Sequence, residues 1–295
     1  MRRRIFLRNT LATLAATVAV GGGTVIYAGS LEPAWLDIHY QPVVLPRLHP
    51  VFDGYRVAHI TDLHTDETFM TAERLSEVVQ VVNAQDADLI LITGDFVTHF
   101  LASSATTLAE LRHLHARDGV FAVLGNHDHW ANPEQIRAIL CANHIHELND
   151  AWHTIDRGGG NAVLQLVGMD DLWSDEGVGM TAWTHESRFM RLLKAVPGRG
   201  AALLMVHEPD FADVTATHER IDLQLSGHSH GGQVRLPFFG SLQLPPLAHR
   251  YPAGMYQIGH LQHYTNRGIG MVPPQFRLNC RPEVAVFELR APARH

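Results

Sequence analysis

Arg56-Val57-Ala58-His59-Ile60-Thr61-Asp62-Leu63-His64 is a short apolar run that breaks into a polar cluster. Arg56 to Ile60 reads as a strand, and the cluster marks where it stops. The same syntax recurs along the chain. Asp88 to Thr93, Val120 to Leu124, Val163 to Val167, Ala202 to Val206 and Ile221 to Leu225 are equally short and rich in Leu or β-branched residues. Between these runs lie amphipathic stretches at Ala72 to Asn83, Thr107 to Ala116, Pro133 to Cys141 and Glu186 to Ala195. The alternation predicts an α/β protein whose helices cover the faces of a sheet. After residue 231 it ceases. Gln233 to Leu236, Gly254 to Ile258, Gln262 to Thr265 and Val284 to Leu289 read as strands without helices between them. A second, largely antiparallel sheet is therefore expected.

The residues just past the strands carry the chemistry. Thr61-Asp62-Leu63-His64 follows the first strand and Gly94-Asp95 the second. Gly125-Asn126-His127-Asp128 follows the third, His207 the fifth and Gly227-His228-Ser229-His230 the sixth. Strand carboxyl ends border the crevice where α/β proteins bind ligands, so residues distant in sequence can converge there. Carboxylate and amide oxygens mixed with imidazole nitrogens, without thiolate, suit Mn, Fe or Zn. A carboxylate such as Asp95 can bridge two ions about 3.5–4 Å apart. Glycines before Asp95, Asn126 and His228 permit sharp turns. Asp62-x-His64 and His228-x-His230 place their paired side chains on one side of an extended segment. Alone, each piece is bland: a Gly-Asp is usually a turn, and a solitary His207 usually a buried histidine. Their order and strand context together favour the metal site.

Composition narrows the alternatives. The chain has 295 residues, a net charge of -7 and no long basic run after residue 8, which disfavours nucleic acid as a partner. The 21 histidines nearly match the 23 Lys plus Arg, so metal binding must be weighed. His113, His115, His144, His146, His260 and His263 are nevertheless read as surface or interface residues, and Asp170 and Asp171 as turn formers, with a place behind the metal ligands as their less favoured alternative. Arg267 is open between a substrate contact and a structural ion pair. Cys141 and Cys280 are open between a disulfide and two buried thiols. The apolar stretch Leu236 to Leu247 is expected to pack on the second sheet. A sharper alternative is a rim that meets a membrane or an acyl chain.

The first residues read as a targeting segment rather than fold. Arg3-Arg4-Ile5-Phe6-Leu7-Arg8 resembles a twin-arginine export signal, except that Arg2 stands where Ser or Thr is usual. An Arg-rich general secretion signal or anchor is the alternative. The uncharged stretch Asn9 to Ala28 is long enough to span a bilayer but is weakened by Gly21-Gly22-Gly23, and Ile26-Tyr27-Ala28 is a poor cleavage site. Anchored and released forms both stay open, with a slight tilt to anchored. The expected layout is a signal or anchor over 1–30, a linker over 31–50 and one catalytic domain over 51–290. Such a protein would face outward from the cytoplasmic membrane or lie in the periplasm.

The five blocks, Asp62-x-His64, Gly94-Asp95, Gly125-Asn126-His127-Asp128, His207 and Gly227-His228-x-His230, resemble those of the calcineurin-like metallophosphoesterase superfamily. Longer stretches, Leu204 to Asp210, Ser226 to Pro237 and Asn266-Arg267-Gly268-Ile269-Gly270, are similar to a bacterial branch of membrane-associated, often twin-arginine-exported phosphodiesterases. The resemblance implies a four-layer αββα sandwich of two mixed sheets with a dinuclear metal site at the strand carboxyl ends. One ion would be held by Asp62, His64, Asp95 and His230, and the second by Asp95, Asn126, His207 and His228. His127 would act as general acid with Asp128 orienting its ring, while His129, Thr98 and His99 stay outside the ligand shell. The implied activity is phosphoester hydrolysis, most simply of diesters, by a hydroxide activated by two divalent ions. The alternatives are a pyrophosphatase acting on a nucleotide-linked acyl sugar and a non-catalytic metal-binding envelope protein. The partner implied is a phosphate ester, with a lipid-linked one as the sharper form.

Overall fold

The computed structural model describes residues 21–173 and 182–293. Strands β1 (Asp37–Val44), β2 (Tyr55–Ile60), β3 (Leu89–Thr93), β4 (Val120–Val123) and β5 (Ile145–Glu147) belong to a first sheet. Strands β6 (Ala151–Asp156), β7 (Val163–Gly168), β8 (Ala201–Met205) and β9 (Leu223–Ser226) belong to a second. A two-stranded hairpin, β10 (Arg235–Leu236) and β11 (Gly240–Ser241), precedes β12 (Gly254–Ile258), β13 (Leu261–Thr265) and β14 (Glu283–Arg290). The principal helices are α1 (Ala72–Asn83), α2 (Asn126–Ala131), α3 (Pro133–Ala142) and α4 (Ala182–Ala195).

The first sheet runs β1-β14-β2-β3-β4-β5 and the second β12-β13-β9-β8-β7-β6. In the first, β2 to β5 are parallel and only the β14–β2 pair is antiparallel. In the second, β7, β8, β9 and β13 are parallel, with antiparallel strands at both edges. Both sheets are thus mixed, and period-two alternation assigns each buried strand two faces. Leu89 and Leu91 turn into the core between the sheets, with Leu203 and Leu223 facing them. Ile90 and Ile92 turn the other way, against Leu75, Val79 and Val82 of α1. On the far side Val167 and Leu204 meet Phe189 and Leu193 of α4. At roughly 1.5–3 kcal/mol for each large apolar side chain removed from water, these three cores hold the αββα layers together.

Several expectations change. The late strands do not make a sheet of their own: β12 and β13 extend the second sheet, and β14 inserts into the first. The segment read as a linker contains β1, parallel to β14. Its largely exposed faces and Pro42 hid the strand pattern, as the N–H-less proline is tolerated at a sheet edge. The helix expected over Thr107 to Ala116 is a short helix at Ser104–Leu108 followed by a 3-10 turn at Ala109–His113. The twin-arginine-like residues 2–8 lie outside the described residues.

Candidate metal centre

Both sheets end their strands at one edge. From the first sheet come Asp62 and His64 after β2, Asp95 after β3, and Asn126 and His127 after β4. The second supplies His207 after β8 and His228 and His230 after β9. All are buried except His127, which is half-buried. Asp62, His64, Asp95 and His230 bring their ligand atoms within 4.8 Å of one another, and Asp95, His207 and His228 do the same. Asp95 belongs to both groups. Its Oδ2 lies 3.3 Å from His64 Nε2 and 3.2 Å from His207 Nε2. His230 Nε2 lies 3.0 Å from His64 Nε2 and 3.3 Å from Asp62 Oδ1.

This donor set fits two divalent cations. The side-chain oxygen of Asn126 and His207 Nε2 are buried without hydrogen-bond partners. A buried orphan of this kind costs about 1–3 kcal/mol unless something polar or charged meets it. Three histidines are also aimed by their second nitrogens, and the two that meet carbonyls are set in tautomer. Nδ1 of His207 bonds the Thr93 carbonyl (2.6 Å), Nδ1 of His64 the Thr98 hydroxyl (3.2 Å), and Nε2 of His228 the Pro246 carbonyl (2.8 Å). Outer partners of this type orient metal-binding imidazoles and raise their basicity.

The backbone that aims these side chains is not extended. Asp62, His64, Asp95, His228 and His230 all have left-handed φ, between 45° and 67°. Non-glycine residues take that region at a cost, and clusters of them mark functional sites. It is therefore strained turns, rather than alternation along a strand, that bring each Asp-x-His or His-x-His pair inward. The glycines also serve differently from expectation. Only Gly94 needs positive φ (89°); Gly125 and Gly227 are required by space. A Cβ on Gly125 would sit 2.4 Å from Asp95 Oδ1, and one on Gly227 2.3 Å from Asp62 Oδ2.

Asp128 departs from its expected role. Its Oδ2 accepts from the Asp95 and Gly125 amides (2.9 and 3.0 Å), and its Oδ1 from the Phe96 amide (2.8 Å). It fastens the Asp95 turn to the start of α2 instead of orienting His127. Burial, followed by the nearby Asp95, pushes its carboxyl up to about 7. The His127 ring is oriented by Thr98, whose carbonyl lies 3.0 Å from Nδ1. Thr98 thus supports two site histidines, His64 through its hydroxyl and His127 through its carbonyl. Nothing in the sequence marked it beyond its nearness to Gly94-Asp95. Burial lowers the His127 ring below its ordinary value, although Asp95 pulls the other way.

The calcineurin-like phosphoesterase family matches residues 55–232, the span that holds both ligand groups. The chain belongs to that family. It is 32% identical over 294 residues to the uncharacterized metallophosphoesterase YkuE of Bacillus subtilis, covering 99% of this chain and 98% of that one. It is 30% identical over 298 residues to the phosphodiesterase YaeI of Escherichia coli, covering 97% and 98%. A dimetal phosphatase from Danio rerio shares the fold with a TM-score of 0.50 at 13% identity, over 80% of this chain and 93% of that one. This member of the calcineurin-like family is a metal-dependent phosphoester hydrolase, with two groups of ligands placed for divalent ions.

Around the phosphoesterase centre the remaining readings resolve. The late block Asn266 to Gly270 backs the Asp62 turn: Ile269 and Gly270 donate to the Thr61 and Asp62 carbonyls (3.1 and 2.7 Å). Arg267 forms ion pairs with Glu283 and Asp37. His129 stays outside the ligand groups and bonds Asp170 at 2.7 Å. Cys141 is an exposed free thiol and Cys280 a buried one. His263, expected at the surface, is fully buried in β13. Of the stretch after β10, Leu247 packs against the outer core of the second sheet as expected, whereas Phe238, Phe239 and Leu242 are largely exposed. Beside the ligands opens a cavity of about 440 Å³, lined in part by His127, Trp130, Trp173, Leu244, Pro245 and Pro274.

Proposed function

We propose that the chain is a phosphodiesterase. The observation that carries this reading is the make-up of the cavity, whose lining among the described residues includes no lysine or arginine and adds Leu242, Leu244, Pro245, Pro246 and Val272 to the ligands. A diester carries one negative charge and a second carbon substituent, which such a lining can seat. A monoester dianion would gain more from cationic side chains. The name of the Escherichia coli relative points the same way.

Asp62, His64, Asp95 and His230 would hold one ion, and Asp95, Asn126, His207 and His228 the other. Bound there, two divalent ions would supply Lewis acidity for water and for the phosphoryl oxygens. In the reaction one water adds to phosphorus, the bond to one ester oxygen breaks, and that oxygen leaves as an alcohol. His127 is the proton donor to the leaving oxygen. With Nδ1–H committed to the Thr98 carbonyl, Nε2 carries the transferable proton, and negative charge on the substrate favours the protonated ring. The Trp130 ring lies edge-on to the His127 ring with 5.1 Å between centroids, and Trp173 packs edge-on against Trp130 in turn.

The test is hydrolysis of bis(p-nitrophenyl) phosphate and p-nitrophenyl phosphate by full-length protein loaded with Mn, Fe or Zn in turn. The diester is expected to be cleaved faster. Faster monoester turnover with every metal overturns the diesterase reading. We also infer export by the twin-arginine route, on the strength of Arg3-Arg4-Ile5-Phe6-Leu7-Arg8. Replacing Arg3 and Arg4 by Lys should hold the protein in the cytoplasm, and unchanged export would sink that inference. Among the described residues no helix is long and apolar enough to cross a membrane.

A further inference from the structure

The apolar side of the cavity continues onto the protein surface. Phe238 at the tip of the β10–β11 hairpin is fully exposed, and Phe239 is 85% exposed. Phe238 has a left-handed φ of 69° at the turn of the hairpin. Leu242, largely exposed, lines the cavity together with Leu244 and Pro245, which joins the hairpin to the substrate space. The segment 272–280 connects the hairpin to the N-terminal helical stretch over 21–34. Val234 bridges Leu278, and the Arg235 amide donates to the Leu278 carbonyl (2.9 Å). Arg277 in turn donates its amide to the Ala28 carbonyl (2.8 Å), and the Phe276 ring lies against Gly29. Val25 and Ile26, on the same helical stretch, are exposed. Residues 21–28, the described end of the uncharged run, are thus joined through this segment to the hairpin from which the phenylalanines project.

We propose that this face docks on a lipid leaflet and that the substrate is a phosphoester carried by a membrane lipid. The proposal rests on the reading of the site as a diester hydrolase and names the class of its substrate. A bilayer fits better than a protein partner because the face is continuous with the apolar N-terminal run. It also presents protruding phenylalanines instead of a flat, hydrogen-bonding surface. The exposed hairpin and helix residues supply the apolar area that reversible seating needs. Trp35, exposed and stacked by Arg281 at 3.4 Å from its ring centroid, suits the headgroup level beside this face. None of the projecting residues is charged, so docking requires no anionic lipid. The lipid's phosphate would reach the ligand edge while its acyl-bearing side lies along Leu244 and the prolines.

The experiment uses full-length protein loaded with the metal that supports soluble diester hydrolysis. Wild type and the double variant Phe238→Ser/Phe239→Ser are compared on two probes. One is soluble bis(p-nitrophenyl) phosphate; the other is a diacylglycerol p-nitrophenyl phosphodiester in phosphatidylcholine vesicles. Both proteins keep the N-terminal segment. The soluble rates should agree within about twofold, while the vesicle rate of the variant drops at least about tenfold. Fluorescence of Phe238→Trp, measured against wild type, should shift to the blue on vesicles and be quenched by brominated phosphatidylcholine. Equal vesicle rates, or no quenching, overturn the proposal. Self-association that disappears in the double variant, without quenching, assigns the face to a second copy and also overturns it. Failure of wild type on the soluble diester strikes the diesterase reading instead, so the two failures are distinct.

Discussion

Histidines sit fully buried in two kinds of place in this protein, at strand ends and within strand bodies, and they behave differently. At the strand ends, His64, His207 and His228 each bond an oxygen through one ring nitrogen and turn the other toward Asp62 or Asp95. In the strand bodies, His59 of β2 and His263 of β13 face no carboxylate and touch threonine hydroxyls, Thr93 at 2.8 Å and Thr265 at 2.9 Å. Burial pushes both of these rings down to about 3. Burial alone therefore makes a neutral structural histidine. Convergence with carboxylates on strained turns is what makes a ligand.

The comparison breaks most sharply at Asp95. Asp95→Ala removes the one side chain common to both ligand groups. Loss of both metals by elemental analysis, and a fall in kcat of roughly 10⁴-fold or more, are expected, because metal catalysis supplies several kcal/mol. A variant that keeps two ions would show that the groups do not depend on a shared carboxylate. His127→Ala should retain both metals and lose about 10³-fold in kcat, within the usual range for general acid catalysis. The loss should be larger for an alkyl leaving group than for nitrophenolate, which needs little protonation. Equal losses for the two would remove His127 from that role.

The strand-body histidines predict pH dependence of stability rather than of chemistry. Below its ordinary value of 6.5 each ring takes up a proton in the unfolded chain, but in the folded chain only near 3. The unfolded state thus binds more protons in that window, and stability falls as pH drops through it. At pH 5 the loss is about 2 kcal/mol for each ring. Urea unfolding of metal-free protein at pH 7 and pH 5 should show this difference shrinking by about that amount in His263→Gln. An unchanged difference would mean that His263 is not held neutral. The smallest effect is expected at Thr98→Val, which removes the hydroxyl beside His64 Nδ1 but keeps the carbonyl beside His127. Metal affinity should weaken roughly tenfold, as for other outer-shell partners, with the leaving-group dependence intact.

Much of the centre was legible in the chain because its residues follow short apolar runs directly. A strand of β-branched residues must stop where Gly-Asp or Gly-Asn-His-Asp begins, and strand ends in an α/β protein share an edge. The parts that were not legible depend on partners far away in sequence. Asp128 looked like an orienting acid for its neighbour His127, yet the nearest unmet amides belong to Asp95 and Phe96 on another loop. His263 looked like a surface or interface residue because it sits at no strand-end turn, yet its strand lies inside the second sheet beside β9. Strand β14 resembled its neighbours in sequence, but a slot between β1 and β2 claimed it.

The sequence by itself determined the α/β class, the identity of the seven candidate ligands and His127, since residue type and local period are written in the order of the chain. Only the tertiary structure decided that left-handed turns aim the ligands, that Asp128 fastens the Asp95 turn, and that Gly125 and Gly227 leave room for carboxylates. It also decided that Phe238 and Phe239 stand clear of the fold. The reason is the same in each case: close approach, backbone strain and exposure are set by which distant segments meet, and a local pattern cannot record that meeting.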